Sequence, residues 1–246
     1  MNIGQALETK NLVKRFEGVH ALDSLSIAIQ PGQVTGIVGP NGSGKTTLIN
    51  VVTGMLPLDS GTVMVSGVTL RRIVPHEVSR YGLTRTFQDI RLFEQMSVLD
   101  NILVVLTERN VFSALFEAHT EYHLKRAEHV LEEVGLKDKR HALARNLSYG
   151  QRKLLEIARV LAMEAKVIFL DEPFAGLFPE MVKRVTSIVQ ALKSRGTTVV
   201  LVEHNMEIIR ELADYLIVMD SGQLLAAGEP MAVLKRRDVI EAYLGE

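Results

Sequence analysis

The chain contains Gly39-Pro40-Asn41-Gly42-Ser43-Gly44-Lys45-Thr46, which fits the phosphate-binding pattern Gly-x-x-x-x-Gly-Lys-Ser/Thr without a mismatch. Residues 34–38 are mostly apolar and predict a short buried strand, and residues 47–52 predict the first turns of a helix. The glycines free the backbone to turn its N–H groups inward, and the helix N-terminus adds a partial positive charge. The sequence therefore predicts a loop that binds a polyphosphate between a strand and a helix.

The residues of this loop and of the helix start that are predicted to contact the nucleotide are Gly39, Pro40, Asn41, Gly42, Ser43, Gly44, Lys45, Thr46 and Thr47. Lys45 can reach the terminal phosphates as a point charge, and the Thr46 hydroxyl can ligate Mg²⁺. A loop of this kind leaves kinases, GTPases, helicases and transport ATPases open as classes.

Two adjacent carboxylates, Asp171 and Glu172, end the apolar run of residues 167–170. In a parallel sheet that is buried on both faces, strands are continuous apolar runs and functional groups lie at their carboxyl ends. We therefore expect Asp171 to hold Mg²⁺ through water. Glu172 is placed to polarise the water that attacks the γ-phosphate.

The stretch Leu147-Ser148-Tyr149-Gly150-Gln151 leads into a helix predicted over residues 152–163. Ser148 followed by Gln151 at the third helical position predicts a capping box. The stretch also resembles Leu-Ser-Gly-Gly-Gln, the diagnostic pentapeptide of the ATP-binding-cassette (ABC) ATPases, with Tyr149 in the middle. The resemblance implies that Ser148 and Gly150 contact the γ-phosphate of an ATP held by a second subunit, with Gln151 in the same site. A helix N-terminus offered to an anion is the physical basis for that role.

The same resemblance assigns roles to three single residues. It implies that Gln88 contacts Mg²⁺ or the attacking water, that His204 contacts the γ-phosphate, and that Phe16 stacks on adenine. Each residue has a simpler explanation: a solvated loop residue for Gln88, a satisfied polar group for His204, and core packing for Phe16. The cofactors implied are ATP and Mg²⁺.

One position departs from the family. After Glu172-Pro173 the family usually places an Asp within Ser-Ala-Leu-Asp, which links two active sites across a dimer. This chain has Ala175-Gly176-Leu177-Phe178, and Phe178 cannot make the corresponding hydrogen bonds. We expect hydrolysis to persist because Glu172 is present, with weaker communication between sites.

The implied fold is an α/β P-loop NTPase (RecA-like) core with an antiparallel β subdomain and an inserted α-helical subdomain. We expect one domain over residues 1–246, with a nucleotide-binding core and β subdomain in residues 1–89 and 165–225. Residues 90–164 form the helical subdomain that carries Leu147–Gln151, and residues 226–246 form a C-terminal tail. In the helical part, helical spacing predicts one buried face, ended by Gly135 and composed of Leu124, Ala127, Val130, Leu131 and Val134.

Composition limits the classes of partner. The formal net charge of −1 offers no general attraction to nucleic acid, and no nucleic-acid partner is expected. The sequence has no cysteine, which excludes disulfides and thiolate chemistry. The start of the chain lacks the features of a signal peptide, and no apolar run approaches the ~18–20 residues that span a bilayer. A membrane role therefore requires partner chains.

Several sequence segments resemble those of ATPases of branched-chain amino acid importers, more the LivG type than the LivF type. They include Thr84–Phe93, Val202–Met206 and Ala242–Glu246. The resemblance implies an ATP-hydrolysing transport subunit (a translocase) that is peripheral on the cytoplasmic face of the inner or plasma membrane. Implied partners are two transmembrane permease subunits, a second ATPase subunit in a homodimer or heterodimer, and indirectly a substrate-binding protein. Urea or amide importers and lipopolysaccharide exporters stay open as alternatives. For the membrane partner we expect a docking groove lined by Ile90, Leu92, Phe93 and Met96.

Other classes fit less well. A kinase with the same loop has no need of Leu147–Gln151 and is active as a monomer. An ABC ATPase that acts on nucleic acid usually has a long coiled coil or two cassettes in one chain. A purely structural nucleotide-binding module is expected to lose Lys45 or Glu172, and both are present. A soluble ABC ATPase that is not tied to a transporter stays open.

Overall fold

The computed structural model describes residues 5–106 and 121–244. These residues form two compact units. Unit 1 takes its residues from 1–85, 166–172 and 189–246, and unit 2 takes its residues from 86–165 and 173–188. No helix in the described ranges is both long and apolar enough to cross a membrane.

The strands are β1 (Leu7–Phe16), β2 (Val19–Ile29), β3 (Val34–Val38), β4 (Ser60–Val65), β5 (Val68–Leu70), β6 (Leu83–Arg85), β7 (Val167–Asp171), β8 (Thr198–Val202), β9 (Tyr215–Asp220) and β10 (Gln223–Gly228). The α-helices of the described residues are α1 (Lys45–Val52), α2 (Val98–Leu106), α3 (Glu121–Glu133), α4 (Tyr149–Ala162), α5 (Pro179–Ser194), α6 (Met206–Leu212), α7 (Pro230–Val233) and α8 (Arg237–Leu244). A longer 3₁₀ helix covers Pro75–Tyr81.

Unit 1 contains a six-stranded sheet of order β10-β9-β3-β8-β7-β6. Its neighbouring strands are parallel except for the β9–β10 pair. Every residue of β3, β7 and β8 is buried, as expected of parallel strands covered on both faces. Val202 of β8 pairs with Ile37 of β3 and with Asp171 of β7. The carboxyl ends of these three strands therefore meet at one edge of the sheet.

The second sheet of unit 1 is antiparallel, with order β2-β1-β4-β5. It shares one hydrophobic core with the parallel sheet, to which both contribute fully buried side chains such as Leu7, Leu25, Ile37 and Phe169. Each side chain of this size stabilises the fold by roughly 1.5–3 kcal/mol when buried. The predicted α/β class with an antiparallel β part is confirmed.

Unit 2 contains a helical cluster in which α2, α3 and α4 pack together. On α3 the predicted apolar face is confirmed for Ala127, Val130 and Leu131, which are buried. The chain leaves the helix as predicted, since Gly135 has φ of 71°. The prediction was wrong for Leu124, which is 39% exposed. Helical spacing decides which side chains share a face, whereas the burial of each one depends on what packs over it.

Candidate nucleotide-binding site

The loop after β3 is built so that only glycine fits at two positions. A Cβ on Gly39 would lie 2.1 Å from the carbonyl oxygen of Met219, and one on Gly44 would lie 2.4 Å from that of Ala21. Gly44 also has φ of 96° and is the residue from which α1 starts. The backbone therefore approaches its neighbours closely and leads directly into a helix N-terminus, which favours an anion.

Lys45 is the first residue of α1, and its ammonium lies inside the loop. Nζ donates to the carbonyl oxygens of Gly39 at 2.7 Å and Pro40 at 2.9 Å, and to Oγ of Ser43 at 3.2 Å. Burial lowers the pKa of Lys45 from 10.5, while the negative charges of Glu172 and Asp171 act in the opposite direction. The loop thus holds one cation close to two carboxylates, and phosphate oxygens would compete for its N–H donors.

The carboxylates lie at the end of β7, next to the end of β8. The N–H of Glu172 donates to the carbonyl of Val202 at 2.9 Å, and its Oε1 lies 2.7 Å from Nε2 of His204. Glu172 has φ of 47°, in the left-handed region that is costly for a residue with a Cβ. Such strain is typical of functional sites, where the surrounding structure fixes the backbone. The structure therefore brings Lys45, Asp171, Glu172 and His204 to one sheet edge.

The donor types at this edge fit Mg²⁺. The cation prefers oxygen ligands, and Asp171 supplies a carboxylate while Thr46 supplies a hydroxyl at the start of α1. Within residues 5–106 and 121–244, no group of three or more His, Cys, Asp or Glu side chains could hold a metal. Mg²⁺ is commonly bound by one or two protein groups, with water and substrate phosphates as the other ligands.

Phe16 ends β1 before the turn that leads to β2, and its side chain is 42% exposed. Core packing therefore does not account for it. The Lys14 ammonium lies 5.3 Å from the centre of its ring. Its role as an adenine platform stays a prediction.

Two neighbours of the predicted site have no role in the motif analysis. Arg85, at the end of β6, forms a buried ion pair with Asp171. Burial raises the pKa of the Tyr243 phenol on α8 to about 12. The phenol oxygen also accepts a hydrogen bond from the N–H of Gly39, which acts on that pKa in the opposite direction. The motif pattern contains no signal for either residue, because both contacts join distant parts of the chain.

Unit 2 carries the Leu147–Gln151 motif at the start of α4. Ser148 is the N-cap and its side chain accepts from the N–H of Gln151, while the N–H of Ser148 donates to Oε1 of Gln151 at 3.1 Å. The predicted capping box is confirmed. A Cβ on Gly150 would lie 2.2 Å from Sδ of Met181, so the motif packs directly against the start of α5.

The loop before α5 reaches the motif as well. A Cβ on Gly176 would lie 2.9 Å from the ring of Tyr149, so the ring covers that glycine. Phe178, two residues farther on, is 76% exposed. The loop that departs from the family thus touches the motif through Tyr149 and presents Phe178 to solvent.

Gln88 is exposed and belongs to unit 2. It lines a cavity of about 310 Å³ whose other wall includes Leu147, Tyr149 and Arg152. Ile90 and Leu92 also line this cavity. Phe93 and Met96, the other two residues predicted for a docking groove, are not among its lining residues, and Phe93 is exposed beside the Arg159 guanidinium.

Comparisons with known proteins agree with this arrangement. Residues 22–175 match the family described as ABC transporter. The chain is 35% identical to the high-affinity branched-chain amino acid transport ATP-binding protein BraF of Pseudomonas aeruginosa, over 98% of each chain. It is equally similar to the LivG protein of Escherichia coli, 35% identical over 98% of each chain. A crystal structure of the ADP conformation of an ATP-binding cassette of an ABC transporter superposes with a TM-score of 0.87, at 38% identity, and covers 99% of this chain and 100% of that one.

The resemblance to the ABC ATPases, and within them to the LivG type, is confirmed. The chain therefore belongs to the ABC transporter family, and it is an ATP-binding and ATP-hydrolysing cassette of that family.

Proposed function

We propose that this cassette uses ATP to drive the import of branched-chain amino acids through two transmembrane permease subunits. The observation that carries the proposal is the near full-length likeness to BraF and LivG, whose names state branched-chain amino acid transport. A full-length match favours the same kind of assembly, whereas a shared ATP-binding core alone would fit any ABC ATPase. A second ATPase subunit and a substrate-binding protein complete the proposed assembly, at the cytoplasmic face of the membrane.

The proposed ATP site combines the loop of residues 39–46 with Thr47 and Phe16. Loop N–H groups and the N-terminus of α1 bind the phosphates, and Lys45 turns its ammonium from the loop carbonyls to the terminal phosphates. Phe16 stacks on adenine. Asp171, Thr46 and Gln88 would hold Mg²⁺, the first through water. When bound, the cation would supply positive charge that offsets the charge of the phosphates in the transition state.

Glu172 orients and polarises the attacking water in this proposal. The water oxygen forms a bond to the γ-phosphorus as the bond to the bridging oxygen breaks, and the water proton moves toward the carboxylate. His204 holds Glu172 through the contact of 2.7 Å and can turn to the γ-phosphate when ATP is bound. Catalysis then rests mainly on positioning and charge stabilisation.

Ser148, Gly150 and Gln151 are proposed to contact the ATP of a facing subunit. Ser148 is exposed at this helix start in unit 2, where a helix N-terminus favours an anion, and the capping box fixes the backbone there. Each chain then supplies two half-sites, and two ATP molecules hold the facing subunits together. Because ATP binds the closed state better than its products do, hydrolysis shifts the subunits back to the open state.

Co-purification with the membrane subunits followed by reconstitution into vesicles tests the proposal. We expect ATP enclosed in the vesicles to drive uptake of radiolabelled leucine, isoleucine or valine. The Glu172→Gln variant should abolish this uptake. Uptake of urea in place of leucine would transfer the assignment to the urea-importer alternative. ATP hydrolysis by an assembly that moves neither solute would overturn the proposed cargo and leave the ATPase assignment in place.

A further inference from the structure

The Arg85 side chain at the end of β6 is nearly buried. Only 8% of it is exposed, and the carboxylate of Asp171 opposite is 1% exposed. Nη2 of Arg85 donates to Oδ2 of Asp171 at 3.3 Å. A buried carboxylate is costly unless a cation or hydrogen-bond donors compensate its charge, because the interior screens charge poorly. Arg85 therefore balances the charge of the carboxylate that the proposed function assigns to Mg²⁺.

The same guanidinium also contacts the helix that follows the phosphate loop. Nη1 donates to Oδ1 of Asn50 on α1 at 2.5 Å and approaches Oγ1 of Thr53, the C-cap of that helix, at 3.4 Å. The Thr53 hydroxyl itself donates to the carbonyl of Ile49 at 2.6 Å, which orients its oxygen toward Arg85. A planar fork with fixed donors can bridge two elements in this way, whereas a lysine ammonium is a single flexible point charge.

We propose that Arg85 is a positioning residue of the Mg²⁺–ATP site, which balances the charge of Asp171 in the absence of a cation and fixes α1 relative to β7. The proposal rests on the proposed function in one respect, namely that Asp171 serves Mg²⁺. Arg85 and a divalent cation then act on the same carboxylate, and they repel each other. It follows that Mg²⁺ without nucleotide binds the parent protein poorly, while phosphate charges compensate for the repulsion when ATP is present.

Thermal unfolding without nucleotide separates this role from a merely structural ion pair. In EDTA, Arg85→Met should lower Tm by about 6–20 °C, because the buried carboxylate of Asp171 loses the cation that donates a hydrogen bond to it. Mg²⁺ at about ten times its Kd for the variant should raise the Tm of the variant by about 3–6 °C. The same Mg²⁺ should leave the parent within about 1 °C of its Tm in EDTA. Arg85→Gln keeps a hydrogen-bond donor without the charge, and we expect a smaller loss and a similar recovery.

Two controls make the Mg²⁺ effect specific. Lys14 is also a buried cation in unit 1, and its Nζ lies 2.9 Å from Oδ1 of Asp59. Lys14→Met should lose stability without any recovery by Mg²⁺. Adding Asp171→Asn to Arg85→Met should remove the recovery, because the carboxylate that binds the cation is then absent.

The absence of a Mg²⁺-dependent recovery in both Arg85 variants would overturn the role of Arg85. If neither variant folds in EDTA, refolding in Mg²⁺ must yield folded protein, and failure there overturns it as well. Stabilisation of the parent by Mg²⁺ with ATP is measured in parallel. If the parent is not stabilised, the proposed function fails; if it is stabilised and the variants show no recovery, only the inference about Arg85 fails.

Discussion

Nε2 of His204 lies 2.7 Å from Oε1 of Glu172, so two residues that follow neighbouring strands form one hydrogen-bonded pair. The backbone N–H of Glu172 is held at the same time by the carbonyl of Val202. A carboxylate held from both its backbone and its side chain keeps one orientation, which a group that positions water needs.

The first prediction is that Glu172→Gln lowers ATP turnover by about 10²-fold or more, because the amide cannot accept a proton from water. ATP should still bind and should stabilise a dimer, as light scattering would detect. The matched control is Glu207→Gln, a change of an exposed glutamate at the start of α6, which should keep the parent rate. Turnover near the parent rate in Glu172→Gln would show that Glu172 is not the base.

The second prediction concerns Lys45→Met, which should abolish the rise in Tm that ATP causes. The pKa of Lys45 is lowered from 10.5 by burial, so its charged form opposes folding. That cost is fully present below the folded pKa and is relieved as pH rises toward 10.5. The nucleotide-free parent should therefore gain stability relative to Lys45→Met as the pH is raised from neutral toward 10.5. A constant difference in Tm between the two proteins across that range would contradict this reasoning.

The third prediction separates two roles of Ser148. Ser148→Ala removes the N-cap of α4 and should cost about 1 kcal/mol of stability. Ser148→Asn keeps a capping oxygen and should unfold near the parent Tm. Both variants should hydrolyse ATP slowly if the serine hydroxyl contacts the nucleotide of the facing subunit. Full ATPase activity in Ser148→Asn would mean that the residue acts only as a cap.

The fourth prediction concerns the loop that departs from the family. Phe178 is exposed, so Phe178→Asp should change Tm little. The new carboxylate should strengthen coupling between the two sites, as a higher Hill coefficient for ATP or a faster turnover. Phe178→Ala is the control for loss of the ring alone. If Phe178→Asp keeps the parent rate and Hill coefficient, the position is silent in this chain.

The fifth prediction concerns the membrane partner. Replacing Phe93 and Met96 with Ser should abolish association with the membrane subunits while ATP affinity and basal hydrolysis stay nearly unchanged, because an apolar patch on a protein surface favours an interaction. Ile90→Ser with Leu92→Ser tests the cavity that those residues line beside Gln88. Val68→Ser, at an exposed apolar residue of the antiparallel sheet, is the control. If the Phe93 and Met96 changes unfold the protein, these residues belong to the core and docking occurs elsewhere.

Three features could be predicted because each depends on residues that are neighbours in the sequence. They are the strand–loop–helix around Lys45, the strand that ends at Asp171 and the capping box of Ser148. An apolar run, a glycine at a tight turn and a side chain that caps its own helix are local features. Local chemistry was enough to place most of the predicted site residues at the ends of strands or helices.

Contacts between distant parts of the chain could not be predicted in this way. The pairing of Arg85 with Asp171 and the packing of Met181 against Gly150 both depend on the tertiary fold. Leu124 has the correct spacing for the buried face of α3 and is nevertheless exposed, because spacing defines a face and does not say which parts of the chain cover it. The location of residues 173–188 in unit 2 is tertiary information as well.

The left-handed backbone of Glu172 has an evolutionary consequence. At φ of 47° a residue with a Cβ costs roughly 1–2 kcal/mol that glycine avoids. A laboratory selection for heat resistance alone would therefore favour Glu172→Gly. That variant would be more stable and would no longer turn over ATP. Thermostable descendants of this chain should be evolved only under a screen that also demands catalysis, since here durability and activity select opposite residues.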